Sequence, residues 1–184
     1  MQKLFSAIIL LSVIAVSSCK NNSAKEKANF MDVAGYLKGQ LAYLDTVPLA
    51  LLKTTLKDTV YTDSVFIQKE QLRSSVASYF QPQLEKESFE NSFDETSFLD
   101  ASINTITLTY QAIDKNLPIQ RIDVYVNPET EQIKRIYLVR QEQKKDTSIS
   151  QQLLWRHNTG CTFITTYQTE QQEIITNEKI SWNE

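Results

Sequence analysis

His157 and Cys161 form the nearest thing to a catalytic pair in this chain. If two strands are joined by Asn158-Thr159-Gly160, the two side chains stand across from each other at a Cβ spacing of about 4.5 to 5.5 Å. A neighbouring imidazole lowers a thiol pKa and can make a nucleophile of it. The competing reading makes His157 a polar residue at a strand end and Cys161 a small buried hydrophobe. Nothing adjacent supplies an orienting group or an oxyanion hole, so the sequence favours this second reading. As a metal site the pair fails on count, because zinc takes three or four protein ligands and the chain has one histidine and two cysteines in all.

Other chemistry is equally thin. Three glycines, at positions 35, 39 and 160, leave no phosphate-cradling loop, no dinucleotide fingerprint and no Gly-x-Ser-x-Gly elbow. Glu85, Glu87, Glu90, Asp94 and Glu95 crowd one stretch without the glycine and alternating ligands of a calcium loop, and read as a solvated link. No catalytic residue, metal ligand or cofactor is assigned. The more suggestive group is Arg121, Asp123, Tyr125, Arg135 and Tyr137. Alternation places all five on the polar face of two adjacent strands, and Arg and aromatic side chains are favoured at recognition surfaces. The competing reading is an ordinary solvated sheet face with cross-strand pairs.

The amino terminus carries the most specific signal. Lys3 precedes an apolar run from Leu4 to Val16, and Val16-Ser17-Ser18-Cys19 closes it with small residues before a cysteine. The run is too short for the ~20 apolar residues of a bilayer-spanning helix. This passage resembles the lipobox of bacterial lipoproteins. The resemblance implies removal of residues 1–18, a thioether from the Cys19 thiol to diacylglycerol, and acylation of the new amino group. Several acyl chains hold a protein to a membrane far more firmly than one, at about 0.8 kcal/mol per buried methylene. The absence of Asp at position 20, where Lys20 stands, implies delivery to the outer membrane, facing the periplasm, by the sorting rule of enteric lipoproteins. With Cys19 lipidated, Cys161 has no partner for an internal disulfide.

Charge narrows the partners. Lys and Arg number 19 against 22 acidic residues, a net charge of -3. Loss of the leader with Lys3 leaves 18 against 22, a net of -4. Such a chain has no overall basic field for polyanions, which argues against nucleic acid. Lys20 to Ala28 has no large apolar residue and reads as a tether, since it cannot bury enough surface to offset its ordering entropy. Residues 29–184 amount to one domain.

The elements that must hold these residues follow from periodicity. Phe30, Val33, Leu37, Leu41 and Leu44 recur at helical spacing and predict an amphipathic helix. Gly35 and Gly39 lie one turn apart on it, a spacing that reads as a packing notch. Leu49 to Leu56 and Thr59 to Tyr61 predict a hairpin around Lys57-Asp58. Asp63 or Ser64 then caps a second helix with a stripe of Val65, Leu72, Val76 and Phe80, ended by Pro82.

From residue 105 the period changes to two. Ile106, Leu108, Tyr110 and Ala112 alternate with polar residues, as do Ile122, Val124 and Val126, then Ile136 and Leu138 beyond a turn at Asn127 to Gln132. Pairing Val124 with Ile136 and Ile122 with Leu138 sets Tyr125 against Arg135 and Asp123 against Tyr137. A slip by one residue would drive charges into the core. Further strands are expected at Gln151 to His157, Cys161 to Thr169 and Glu173 to Trp182, with Gly160 in the left-handed position of a three-residue loop.

The expected fold is α+β, an antiparallel β-meander of five or more strands with two N-terminal helices packed on one face. Composition, lipobox and tether resemble the small lipoproteins of Bacteroidota, a likeness that carries no functional residues. The expected function is a lipid-anchored, non-enzymatic envelope protein that binds a protein or another envelope component. The alternative is a carrier or sensor of an apolar ligand, such as a lipid, held between sheet and helices.

Overall fold

Asp32 starts the first helix by accepting a hydrogen bond at 2.7 Å from the Gly35 N–H, in a computed structural model that describes residues 30–182. Helix α1 spans Val33–Thr46 and buries Val33, Ala34, Leu37, Leu41 and Leu44, the predicted stripe with Ala34 added. Its last carbonyls, at Leu44 and Val47, accept from the Lys69 ammonium, with 2.7 Å to Val47. The cation thereby satisfies groups that a helix end leaves unpaired. Residues 1–18, Cys19 and the tether to residue 28 lie outside the described residues.

The hairpin forms from β1, Leu51–Lys57, and β2, Val60–Ile67. Asp58 and Thr59 both have positive φ, 47° and 69°, the twist that a two-residue hairpin turn needs. Its second strand runs six residues past the expected Tyr61 and takes in Asp63, Ser64 and Val65. The second helix, α2, therefore begins at Lys69 and ends at Ala77, with Gln68 and Gln71 in a capping box. Val65 belongs to the sheet and is exposed. The helical spacing of Val65 to Leu72 is accidental, and the dense β-branched residues from Val60 to Ile67 decide the local state.

A short 3₁₀ turn, Pro82–Leu84, and helix α3, Lys86–Ser92, follow. The acidic stretch expected as a loop is thus largely helical, and Asp94 and Glu95 already belong to strand β3, Phe93–Asp100. Gln83 is buried and exchanges two hydrogen bonds with the backbone of Ile119, donating Nε2 at 2.8 Å and accepting at 3.2 Å. One amide side chain so closes both polar groups at a strand end that would otherwise be buried unpaired.

The remaining strands are β4 (Thr105–Ala112), β5 (Ile119–Val126), β6 (Ile133–Lys144), β7 (Thr147–Arg156), β8 (Gly160–Gln168) and β9 (Glu173–Ser181). The described residues form one nine-stranded antiparallel sheet in the order β2-β1-β9-β8-β7-β6-β5-β4-β3. β3 to β9 are a meander, and the early hairpin adds to β9 through pairs such as Lys53 with Ile180. Among the described residues three α-helices, rather than two, accompany the sheet. The expected β5–β6 register holds pair for pair, including Val124 with Ile136 and Tyr125 with Arg135.

One face of the sheet packs on the helices. Tyr79, Tyr110, Ile122, Val124, Ile136, Leu138, Leu153, Trp155 and Ile180 join the α1 stripe in one buried cluster. Each such side chain contributes about 1.5 to 3 kcal/mol by leaving water. Aromatic rings close the β3–β4 side, with Phe89 edge-on to Tyr110 at 5.0 Å between centroids. No helix among the described residues is long and apolar enough to cross a membrane.

Candidate functional site

The register that builds the core also fixes the opposite face. Because side chains alternate, placing Ile122 and Val124 under the helices sends Arg121, Asp123 and Tyr125 outward, and Ile136 and Leu138 do the same for Arg135 and Tyr137. The structure brings these five predicted residues together on β5 and β6.

Asp123 departs from the picture of a solvated polar face, because it is only 2% exposed. Its carboxylate accepts from Arg121 Nε at 2.9 and 3.1 Å and from the Thr109 hydroxyl at 2.7 Å. A buried carboxylate costs free energy unless paired, and these three bonds supply the pairing. The same hydrogen bond raises the Arg121 pKa, while burial raises that of the Tyr137 hydroxyl. Both groups therefore hold their protons across the neutral range.

Arg135 lies over the Tyr125 ring, with its guanidinium carbon 3.9 Å from the centroid, a cation–π contact. Across the next ladder Arg135 stands directly opposite Arg156. One row further, Thr162 pairs with Lys179 of β9 on the same face. Reading in the sequence missed Arg156 and Lys179 as members of this surface. The signal for Arg156 was available, since carrying the Leu138 pairing on to Leu153 sets Arg135 against Arg156.

The His157 and Cys161 pair is not formed. The ladder matches Arg156 with Gly160 and Trp155 with Cys161, so His157 falls in the turn and Cys161 inside. His157 Nδ1 lies 2.7 Å from the Tyr36 hydroxyl of α1, and Nε2 lies 3.0 Å from the Asn158 amide. Burial pushes the Cys161 thiol well above its ordinary range, the reverse of what a nucleophile needs. The left-handed residue of this turn is Asn158, with φ 55°, and no glycine among the described residues has positive φ. Gly160 is instead needed for space, because a Cβ there would sit 2.5 Å from the Ile180 carbonyl oxygen. The expected notch on α1 is not seen at Gly39, where nothing lies within 4 Å of a Cβ, and at Gly35 the nearest atoms to a Cβ are those of the capping Asp32 carboxylate.

Among the described residues no group of three His, Cys, Asp or Glu side chains could hold a metal ion. Phe30, Met31, Leu84 and Phe89, with the charged Asp32, Lys86 and Glu90, line a cleft of about 210 Å³. Ligand pockets usually measure about 300 to 1,000 Å³. Comparison with protein-family models, curated proteins and solved structures finds no match to the chain.

Proposed function

We propose that this chain is a lipid-anchored protein of the cell envelope that acts by binding rather than by catalysis. Acyl chains on Cys19 attach it to the outer membrane on the periplasmic side, and the β5–β6 face formed by Arg121, Asp123, Tyr125, Arg135 and Tyr137 holds a protein or another envelope component.

The observation that carries the reading is the order of a face that no helix among the described residues covers. Arg121 and Thr109 fix a buried carboxylate there, and Tyr125 fixes Arg135, so the recognition side chains lose little conformational entropy on binding. The rival reading, an apolar carrier, rests on space between sheet and helices, where the described residues line a cleft of about 210 Å³ at Phe30 and Phe89.

A photo-reactive phenylalanine analogue at Tyr137, in the chain expressed in its native host, should form discrete adducts in intact envelopes. Tyr125→Ser should abolish them while moving the melting temperature by less than about 2 °C, as for a surface substitution. Adducts that persist in Tyr125→Ser would exclude this face. Intact mass of the same material reads the anchor, and an unmodified Cys19 would remove it.

A further inference from the structure

On the uncovered face, the row Thr107, Tyr125, Arg135, Arg156 crosses β4 to β7 through three consecutive cross-strand pairs. Its last pair is a direct Arg–Arg pair. Side chains so placed have Cβ atoms about 4.5 to 5.5 Å apart, and like charges there repel. Opposite charges across a strand pair would stabilise it. Here Arg156 faces Arg135 on one side and Gly160, with no side chain, on the other.

The acids nearest on the face do not relieve the repulsion. Asp123, one row away, is taken up by Arg121 and Thr109. The adjoining turn carries Glu129 and Glu131, of which Glu129 accepts from Asn104 Nδ2 at 2.9 Å. Neither arginine makes an ion pair with any of them. Arg135 is held over the Tyr125 ring, a contact that orients the guanidinium and leaves its N–H edge for a ligand. Arg135 is oriented, and among the described residues neither guanidinium has an ion-pair partner, so the pair presents donors and positive charge in a chain whose net charge is -3.

We propose that Arg135 and Arg156 form an oxyanion subsite that takes a phosphate group, with Tyr125 as the positioning platform for Arg135. Two guanidinium groups from adjacent strands offer the forked N–H donors that match the oxygens of a phosphate, and the bound anion removes the repulsion between them. The group is that of a lipid headgroup or of free phosphate. The proposal deepens the binding reading of this face and stands independently of the anchor at Cys19.

The test uses the full chain in neutral detergent, with the Nε–Hε signals of Arg135 and Arg156 followed by heteronuclear magnetic resonance. Inorganic phosphate and water-soluble dihexanoyl phosphatidylglycerol are titrated separately, with dihexanoyl glycerol, which lacks phosphate, as control. Saturable movement of both signals with either phosphate compound, and none with the control, supports the subsite. Tighter binding of the phospholipid assigns a headgroup, and equal or tighter binding of inorganic phosphate assigns the free ion. Arg135→Gln and Arg156→Gln should each weaken binding about tenfold, and Tyr125→Leu several-fold, corresponding to the loss of one charge-assisted contact or of its platform. Unmoved signals, or binding of undiminished affinity in Arg156→Gln, overturns the proposal. Envelope adducts at Tyr137 without any phosphate effect would sink the subsite alone, and phosphate binding without adducts would sink only the envelope role of the face.

Discussion

The Tyr36 hydroxyl lies 2.7 Å from Nδ1 of His157, tying helix α1 to the β7–β8 turn across 121 residues of sequence. The histidine that looked most like a catalyst thus locks a helix to the end of the sheet. Its partner is half-buried, and burial pushes the Tyr36 hydroxyl from 10.0 up to about 12.

This shift sets an alkaline limit. The folded chain holds the Tyr36 proton more tightly than the unfolded chain, so the associated stability is complete below pH 10 and disappears between pH 10 and about 12. Burial also raises the pKa values of Tyr79, Tyr110 and Cys161, and the thiol begins the decline from its ordinary value of 9.0. Urea midpoints should hold from pH 7 to 8.5, then fall steadily to pH 11. Tyr36→Phe should lower stability by about 1 kcal/mol at pH 7, the worth of one hydrogen bond, and flatten the decline above pH 10. A midpoint constant to pH 11 would contradict the assignment.

Cys161 is fully buried, with its thiol pKa raised. Thiolate is the reactive form, so alkylation by iodoacetamide at pH 8 should be at least about 100-fold slower in the folded protein than in denaturant. Rapid, pH-dependent labelling of the folded chain would restore a nucleophilic role. Mass spectrometry of timed aliquots gives the rates.

Two glycines should respond to alanine with opposite signs. Gly160→Ala forces a Cβ against the Ile180 carbonyl oxygen, backbone that cannot step aside without disturbing the β8–β9 ladder. A loss of about 1 to 3 kcal/mol is expected, the cost of overpacking. Gly39→Ala meets open space on an exposed helix surface, and should gain about 0.5 to 1 kcal/mol by lowering the entropy of the unfolded chain. Thermal unfolding of the two variants beside the parent decides both.

The arginines of the uncovered face should separate likewise. Arg156→Gln removes a like-charge neighbour of Arg135 and should raise stability by about 0.2 to 1 kcal/mol in phosphate-free, low-salt buffer. The gain should shrink with added salt. Arg121→Gln leaves the Asp123 carboxylate without its cation, and should cost about 1 kcal/mol once the half-exposed position of the guanidinium is allowed for. If Arg156→Gln destabilises the protein, the pair is not repulsive.

The parts legible in the sequence share one property, a buried face opposite a polar one. Ile106, Leu108 and Tyr110 alternate cleanly with threonines, and β4 spans Thr105–Ala112 as predicted. The β5–β6 register could be read because any slip would bury Arg121 or Arg135 among Ile122 and Ile136. Strand β3 had no such signal: Asp94, Glu95, Thr96 and Ser97 are polar on both faces, and the strand forms because the free edge of β4 pairs with it. Helix α3 was hidden by the same polar composition, with Phe89 its one buried residue.

The sequence by itself therefore determined where chain segments bury a face, since alternation and helical spacing are local and the hydrophobic effect acts on each segment separately. Only the tertiary structure decided that β1 pairs with β9, that the Asp123 carboxylate lies under Arg121 and Thr109, that His157 serves Tyr36, and that Arg135 meets Arg156. Each of these joins residues through hydrogen-bond ladders or packing between segments distant along the chain. Such partners are chosen by the whole sheet closing over one core, which no local pattern encodes.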